Sequence, residues 1–73
     1  MKPTIGRIVI FNVPEGLKSK VNFADQLPAI IVRVWSANVV NLKVITDGPE
    51  DLWITSVIEG SNENNWGWPV IEQ

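Results

Sequence analysis

Apolar residues in this chain recur in short runs separated by polar, proline-bearing or glycine-bearing stretches, and none of the runs holds a helical period. Ile5-Gly6-Arg7-Ile8-Val9-Ile10-Phe11 is rich in β-branched residues and bounded by Pro3 and Pro14, which predicts a first strand. Its alternate faces, Ile5/Arg7/Val9/Phe11 and Gly6/Ile8/Ile10, are both largely apolar, so both are expected to be covered. Residues 29–35 predict a second strand, with Ile30, Val32 and Val34 as one apolar face and Ile31, Arg33 and Trp35 as the other. A turn at Ser36-Ala37-Asn38 leads into a third strand over residues 39–46. There Val40, Leu42 and Val44 point inward and Asn41 and Lys43 outward, so the two strands form a hairpin. Residues 52–58 predict a fourth strand and 66–71 a fifth, which Pro69 places at an edge or interrupts.

The connections differ in character. Residues 12–28 have no clear period, and a stretch of that length in so small a domain usually has a task. It is expected to fold back on the barrel through Leu17, Val21, Phe23 and Leu27, which is compatible with contacting a ligand. Asp47-Gly48-Pro49-Glu50-Asp51 is a turn by residue type, and residues 59–65 are a polar loop. Five short strands with one long loop after the first predict a single all-β domain over residues 1–73, a small five-stranded SH3-like barrel. An OB-like barrel is the alternative, disfavoured because no helix-period segment lies between the strands.

At 73 residues one core is only marginally sufficient, and with no cysteine and no histidine neither disulfides nor a Cys/His zinc site can support it. Tight packing or oligomerisation remains. The net charge of −2 is unevenly spread. Lys2, Arg7, Lys18, Lys20 and Arg33 against Glu15 and Asp25 make the first 36 residues +3. Lys43 against Asp47, Glu50, Asp51, Glu59, Glu63 and Glu72 makes the remainder −5. So few cations exclude non-specific binding to a nucleic-acid polymer, which needs many phosphate contacts. No apolar run approaches the ~20 residues of a membrane span, and no signal-peptide core follows Met1-Lys2-Pro3, so a cytosolic protein is expected.

Catalysis finds few candidates. No histidine base or thiol is available for nucleophilic chemistry, the carboxylates cluster on turns, and no phosphate-cradling glycine motif occurs. The three carboxylates of residues 47–51 lack the spacing and terminal glutamate of a calcium loop. No enzyme activity, cofactor or metal is therefore expected. Binding is better supported: four tryptophans, no tyrosine and several asparagines supply flat apolar faces beside neutral hydrogen-bonding groups. Arg7, Lys18, Lys20 and Arg33 are enough for a few phosphates.

In Trp66-Gly67-Trp68-Pro69, strand spacing points both indoles to one side and leaves Gly67 bare on the other. That pair is either a core plug or a stacking platform, and in small barrels tryptophan is more often core or interface than ligand platform. Ile5, Val9, Phe11, Ile31, Trp35, Val39, Ile45, Trp53 and Ile71 lie largely outside the expected core faces. This surplus predicts a homo-oligomer with pockets at its seams.

The opening Pro3-Thr4-Ile5-Gly6-Arg7-Ile8-Val9, the middle Pro28-Ala29-Ile30-Ile31-Val32 with Val40-Asn41-Leu42-Lys43-Val44, and the closing Trp66-Gly67-Trp68-Pro69 resemble small bacteriophage and prophage proteins. Those proteins begin with a Pro-Thr-Val-Gly-Arg-Ile-Val-like strand and end near Trp-x-Trp-Pro. Such relatives often carry His-Tyr where this chain has Ile10-Phe11, and His where it has Gly67. In type, they are similar to the viral proteins that sequester nucleotide second messengers of antiviral systems. The resemblance implies a phage-encoded anti-defence protein in the host bacterial cytoplasm, an oligomer that holds a cyclic or modified adenine nucleotide between subunits without cleaving it. Trp66 and Trp68 would stack on the base, Arg7, Arg33 and Lys20 would meet phosphates, and Asn12 or Asn41 would bond a base edge, with Phe11 also in the ligand set. The alternative is an SH3-like adaptor whose tryptophan-lined groove takes a host or phage protein.

Overall fold

In the computed structural model, which describes residues 2–70, five strands close into a barrel. They are β1 (Ile8–Asn12), β2 (Gln26–Val34), β3 (Val39–Val44), β4 (Leu52–Glu59) and β5 (Asn65–Gly67). Neighbours around the barrel follow chain order, antiparallel from β1 to β4, with β5 parallel to β4 and antiparallel to β1. This is the small all-β, SH3-like barrel that the pattern of short strands predicts. Closure removes the exposed sheet edges that would otherwise template aggregation.

The core is built from one face of each strand: Val9 and Phe11 of β1, Leu27, Ala29 and Ile31 of β2, Val40, Leu42 and Val44 of β3, Val57 of β4 and Trp66 of β5. The hairpin of β2 and β3 forms where expected, and β3 buries the expected face. On β1 and β2 the expected faces are corrected. Val9, Phe11 and Ile31, counted above as surplus, are fully buried, while Val32 and Val34 are exposed. Both faces of β2 were apolar, so alternation alone could not choose, and the register against Leu42 on β3 makes Ile31 the inward residue. Nor is β1 covered on both sides, since Ile8 is 49% exposed. Ile5, Trp35, Ile45 and Trp53 do lie outside the core, Val39 is half-buried, and Ile71 falls outside the described residues.

Element ends move for local reasons. Gly6 takes φ +95°, a conformation that L side chains rarely adopt, and the chain turns there before β1 begins at Ile8 rather than Ile5. The long connection contains a 3₁₀ helix (Glu15–Val21), and Val13 and Val21 bury while Leu17 packs partly on the core. Asn22 and Phe23 both have positive φ, which swings Phe23 outward to 72% exposure, so it does not pin the loop as expected. Leu27 does bury, as the second residue of β2, which starts at Gln26 because Gln26, Leu27 and Pro28 already pair with β1. β5 ends at Gly67, before Pro69.

Two bulges interrupt the hairpin walls at the same height. The β2–β3 register slips between Ile31 and Arg33, and the β3–β4 register slips opposite Asn41, where Ser56 adopts φ +56°. Asn41 sits between them at 6% exposure.

Candidate functional site: a tryptophan-arginine pocket on the β1–β5 wall

The two closing tryptophans part company. Trp66 is fully buried opposite Phe11, and its Nε1–H donates to the Asn38 carbonyl at 3.1 Å. Trp68, beyond the end of β5, is half-buried and meets Trp66 edge-on, with ring centroids 5.2 Å apart and planes at 83°. The Arg7 guanidinium lies 5.4 Å from the Trp68 ring centroid. Charge and aromatic face, brought from opposite ends of the chain, meet because β1 and β5 are barrel neighbours.

Beside Trp68 is a depression of about 420 Å³, lined by Ile10, Asn12, Gln26, Gly60, Ser61, Gly67, Trp68, Pro69 and Val70. Ile10 and Gly67 are cross-strand partners, and the missing side chain at Gly67 leaves space over the β1–β5 seam. A Cβ there would meet nothing closer than the Gly60 carbonyl at 3.8 Å, so position 67 accepts a Cβ without displacement.

Asn12 is tied into the wall. Its Nδ2 donates to the Asn62 carbonyl at 3.2 Å, its Oδ1 accepts from Gln26 Nε2 at 2.9 Å, and its own carbonyl accepts from Asn64 N–H at 2.7 Å. These bonds fix the loop after β4 and orient two primary amides at the pocket edge. None of the nine lining residues is charged, so a bound anion would meet no carboxylate among them. The depression thus has an aromatic wall and neutral amides, with a guanidinium against the Trp68 ring. Among the described residues no group of three or more Asp or Glu side chains is arranged to hold a metal ion.

Of the eight residues expected to bind ligand, Trp68 and Asn12 line this depression, and Arg7 adjoins it only through its contact with the Trp68 ring. Trp66, Phe11 and Asn41 are corrected: the first two are core residues at 0% and 1% exposure, and an indole closed in on all sides cannot stack on a guest. Asn41 is occupied, its Oδ1 accepting from Trp35 Nε1 at 2.8 Å, Ser56 N–H at 2.8 Å and Thr55 Oγ1 at 2.9 Å. Arg33 lies elsewhere, 4.1 Å over the Trp35 ring. Lys20 borders a separate depression of about 300 Å³ with Asn22, Thr46 and residues 47–50. Lys18 is spent on structure: its ammonium sits 2.9 Å from Asp25 and 3.6 Å from Glu15. The hydrogen bond to Asp25, aided by both carboxylates' charge, raises its pKa above 10.5.

Sequence reasoning missed Gln26, Ile10 and the Gly60-Ser61 corner. Gln26 carried a signal only in its register against Asn12, which no local pattern shows.

No protein-family model matches the chain, and no significant match is found among curated proteins or solved structures. No helix of the described chain is long and apolar enough to cross a membrane.

Proposed function

We propose that this protein binds and sequesters a small anionic nucleotide, a cyclic or modified adenine nucleotide messenger, over Trp68, and releases it intact. The observation that carries the reading is the Trp68–Arg7 pair standing beside a pocket edged by the Asn12 and Gln26 amides. In it, the base stacks on the indole, the amides bond its edge and Arg7 meets phosphate. The pocket's size is within the usual range for small-molecule sites. The viral, anti-defence setting in a bacterial cytoplasm rests on the resemblance of the opening and closing motifs alone.

Calorimetry with a panel of cyclic dinucleotides and cyclic ADP-ribose isomers tests the proposal. Saturable binding by the native chain, lost in Trp68→Ala and weakened in Arg7→Gln, with unaltered nucleotide recovered after denaturation, is the expected result. Gly67→Ala, whose Cβ fits beside the pocket, should also weaken binding while leaving the fold intact. Silence across the panel overturns the proposal, and recovery of a host or phage protein on the same bait would favour the adaptor reading.

A further inference from the structure

The outer wall of β2, β3 and β4 is far from bland. Ile30 pairs with Lys43, and Lys43 with Trp53. Arg33 pairs with Asn41, which accepts the Thr55 hydroxyl. Trp35 N–H donates to the Val39 carbonyl, and Val39 pairs with Ile58. The wall is therefore a grid of three strands by three rows with apolar corners. Trp53 and Trp35 end one diagonal, Ile30 and Ile58 the other. Trp53, Trp35 and Ile58 are 60%, 53% and 52% exposed. At the centre, the Asn41 oxygen already has three donors, so covering it strands no acceptor.

We propose that this wall seats a second copy of the chain, packed face to face about a two-fold axis that runs across the strands. This face lies on a different wall from the Trp68 pocket, so the inference does not rest on the nucleotide reading. A two-fold interface must be complementary to itself. An axis across the strands inverts each strand on its copy, laying Trp53 on Ile58 of the partner subunit and Trp35 on Ile30 of the partner subunit. An axis along the strands would also match indole to isoleucine, but would drive Lys43 against Lys43 of the partner subunit. The chosen axis instead lays the Lys43 stem on Val39 of the partner subunit; it brings Arg33 opposite Arg33 of the partner subunit, but each guanidinium is drawn aside over its own Trp35 ring. Convex barrel walls touch along a line and diverge away from it, and large side chains at the corners fill that gap.

Area supports a copy as the occupant. With Ile8 and Val32 flanking the grid, the exposed apolar surface is on the order of 400 Å² per chain, given the 150–250 Å² an aromatic side chain can bury. Interfaces are about 57% apolar, so two such patches imply roughly 1,400 Å² in total, the size of a standard stable interface. A chain with no cysteine and no histidine has no other staple to draw on.

Sedimentation equilibrium of the native chain should give a dimer. Trp53→Glu and Ile58→Arg should each weaken self-association by about 30-fold or more, since each puts a charge against an apolar anchor of the partner, with circular dichroism unchanged because both positions are exposed. Combined in one chain, the two changes should restore association, since they set a carboxylate opposite a guanidinium across the axis. A native chain that stays monomeric at high concentration overturns the proposal, as does undiminished association of either single variant. Failure of the double variant to recover overturns the across-strand axis. Nucleotide titration of the same variants separates the two readings: retained binding by a monomer leaves the Trp68 pocket standing if the dimer falls.

Discussion

Two regions of this barrel use the same parts to different ends. On the β1–β5 wall, Trp66 and Trp68 sit two residues apart with Arg7 over the outer ring. On the β2–β4 wall, Trp35 carries Arg33 on its face and rests on Asn41. The difference lies in where each buried polar atom finds its partner. Trp66 gives its N–H to the Asn38 carbonyl and can vanish into the core, leaving only Trp68 to face solvent. Trp35 gives its N–H to a side-chain oxygen on the outer face, so its ring is held in place while remaining half exposed. An indole's burial therefore says little about its use until the destination of its N–H is known.

The largest break of that comparison is Trp66→Ala. It opens a cavity in the middle of the core and strands the contacts of Phe11, which should cost about 3–5 kcal/mol. Against the roughly 5–15 kcal/mol that domains typically have, urea denaturation should find the variant partly or wholly unfolded. Asn41→Ala comes next: the Ser56 N–H and Thr55 hydroxyl lose their acceptor and the Trp35 ring its anchor, costing about 1–3 kcal/mol. Asn41→Asp keeps an oxygen in place and should recover most of that loss, and Trp35 fluorescence should report a freed ring only in the alanine variant.

Ser56→Gly sharpens the picture in the other direction. Ser56 holds φ +56° in the bulge, so glycine should leave stability unchanged or raise it by about 1 kcal/mol, measured by thermal melting.

The smallest effect concerns the loop. Because Lys18 gains Asp25 as a partner and its pKa is raised, the stability it contributes is complete below 10.5 and is lost as pH rises through the raised value. Lys18→Met should flatten that alkaline decline in a pH series of melting curves, with little change at neutral pH.

Much of the fold was legible because it rests on local chemistry. Pro14 stops the first strand soon after Asn12, Ser36-Ala37-Asn38 turns the hairpin, and β3 alternates cleanly enough to show its inner face. The candidate site was legible only in part. Trp68, Arg7 and Asn12 could be named from residue type, but Gln26 and Ile10 enter the pocket through cross-strand registers that join positions far apart in the chain. Asn41 looked like a base-reading amide because its polarity was visible and its three donors were not.

By itself, then, the sequence determined that short β-branched runs and turn residues would make five strands of one small barrel, since strand and turn preferences act over a few neighbouring residues. Only the tertiary structure decided which of two apolar faces of β1 and β2 turns inward, which of two adjacent tryptophans is buried, and which arginine meets which ring. Those choices are set by register, and a shift of one residue in pairing sends every side chain of a strand to the opposite face.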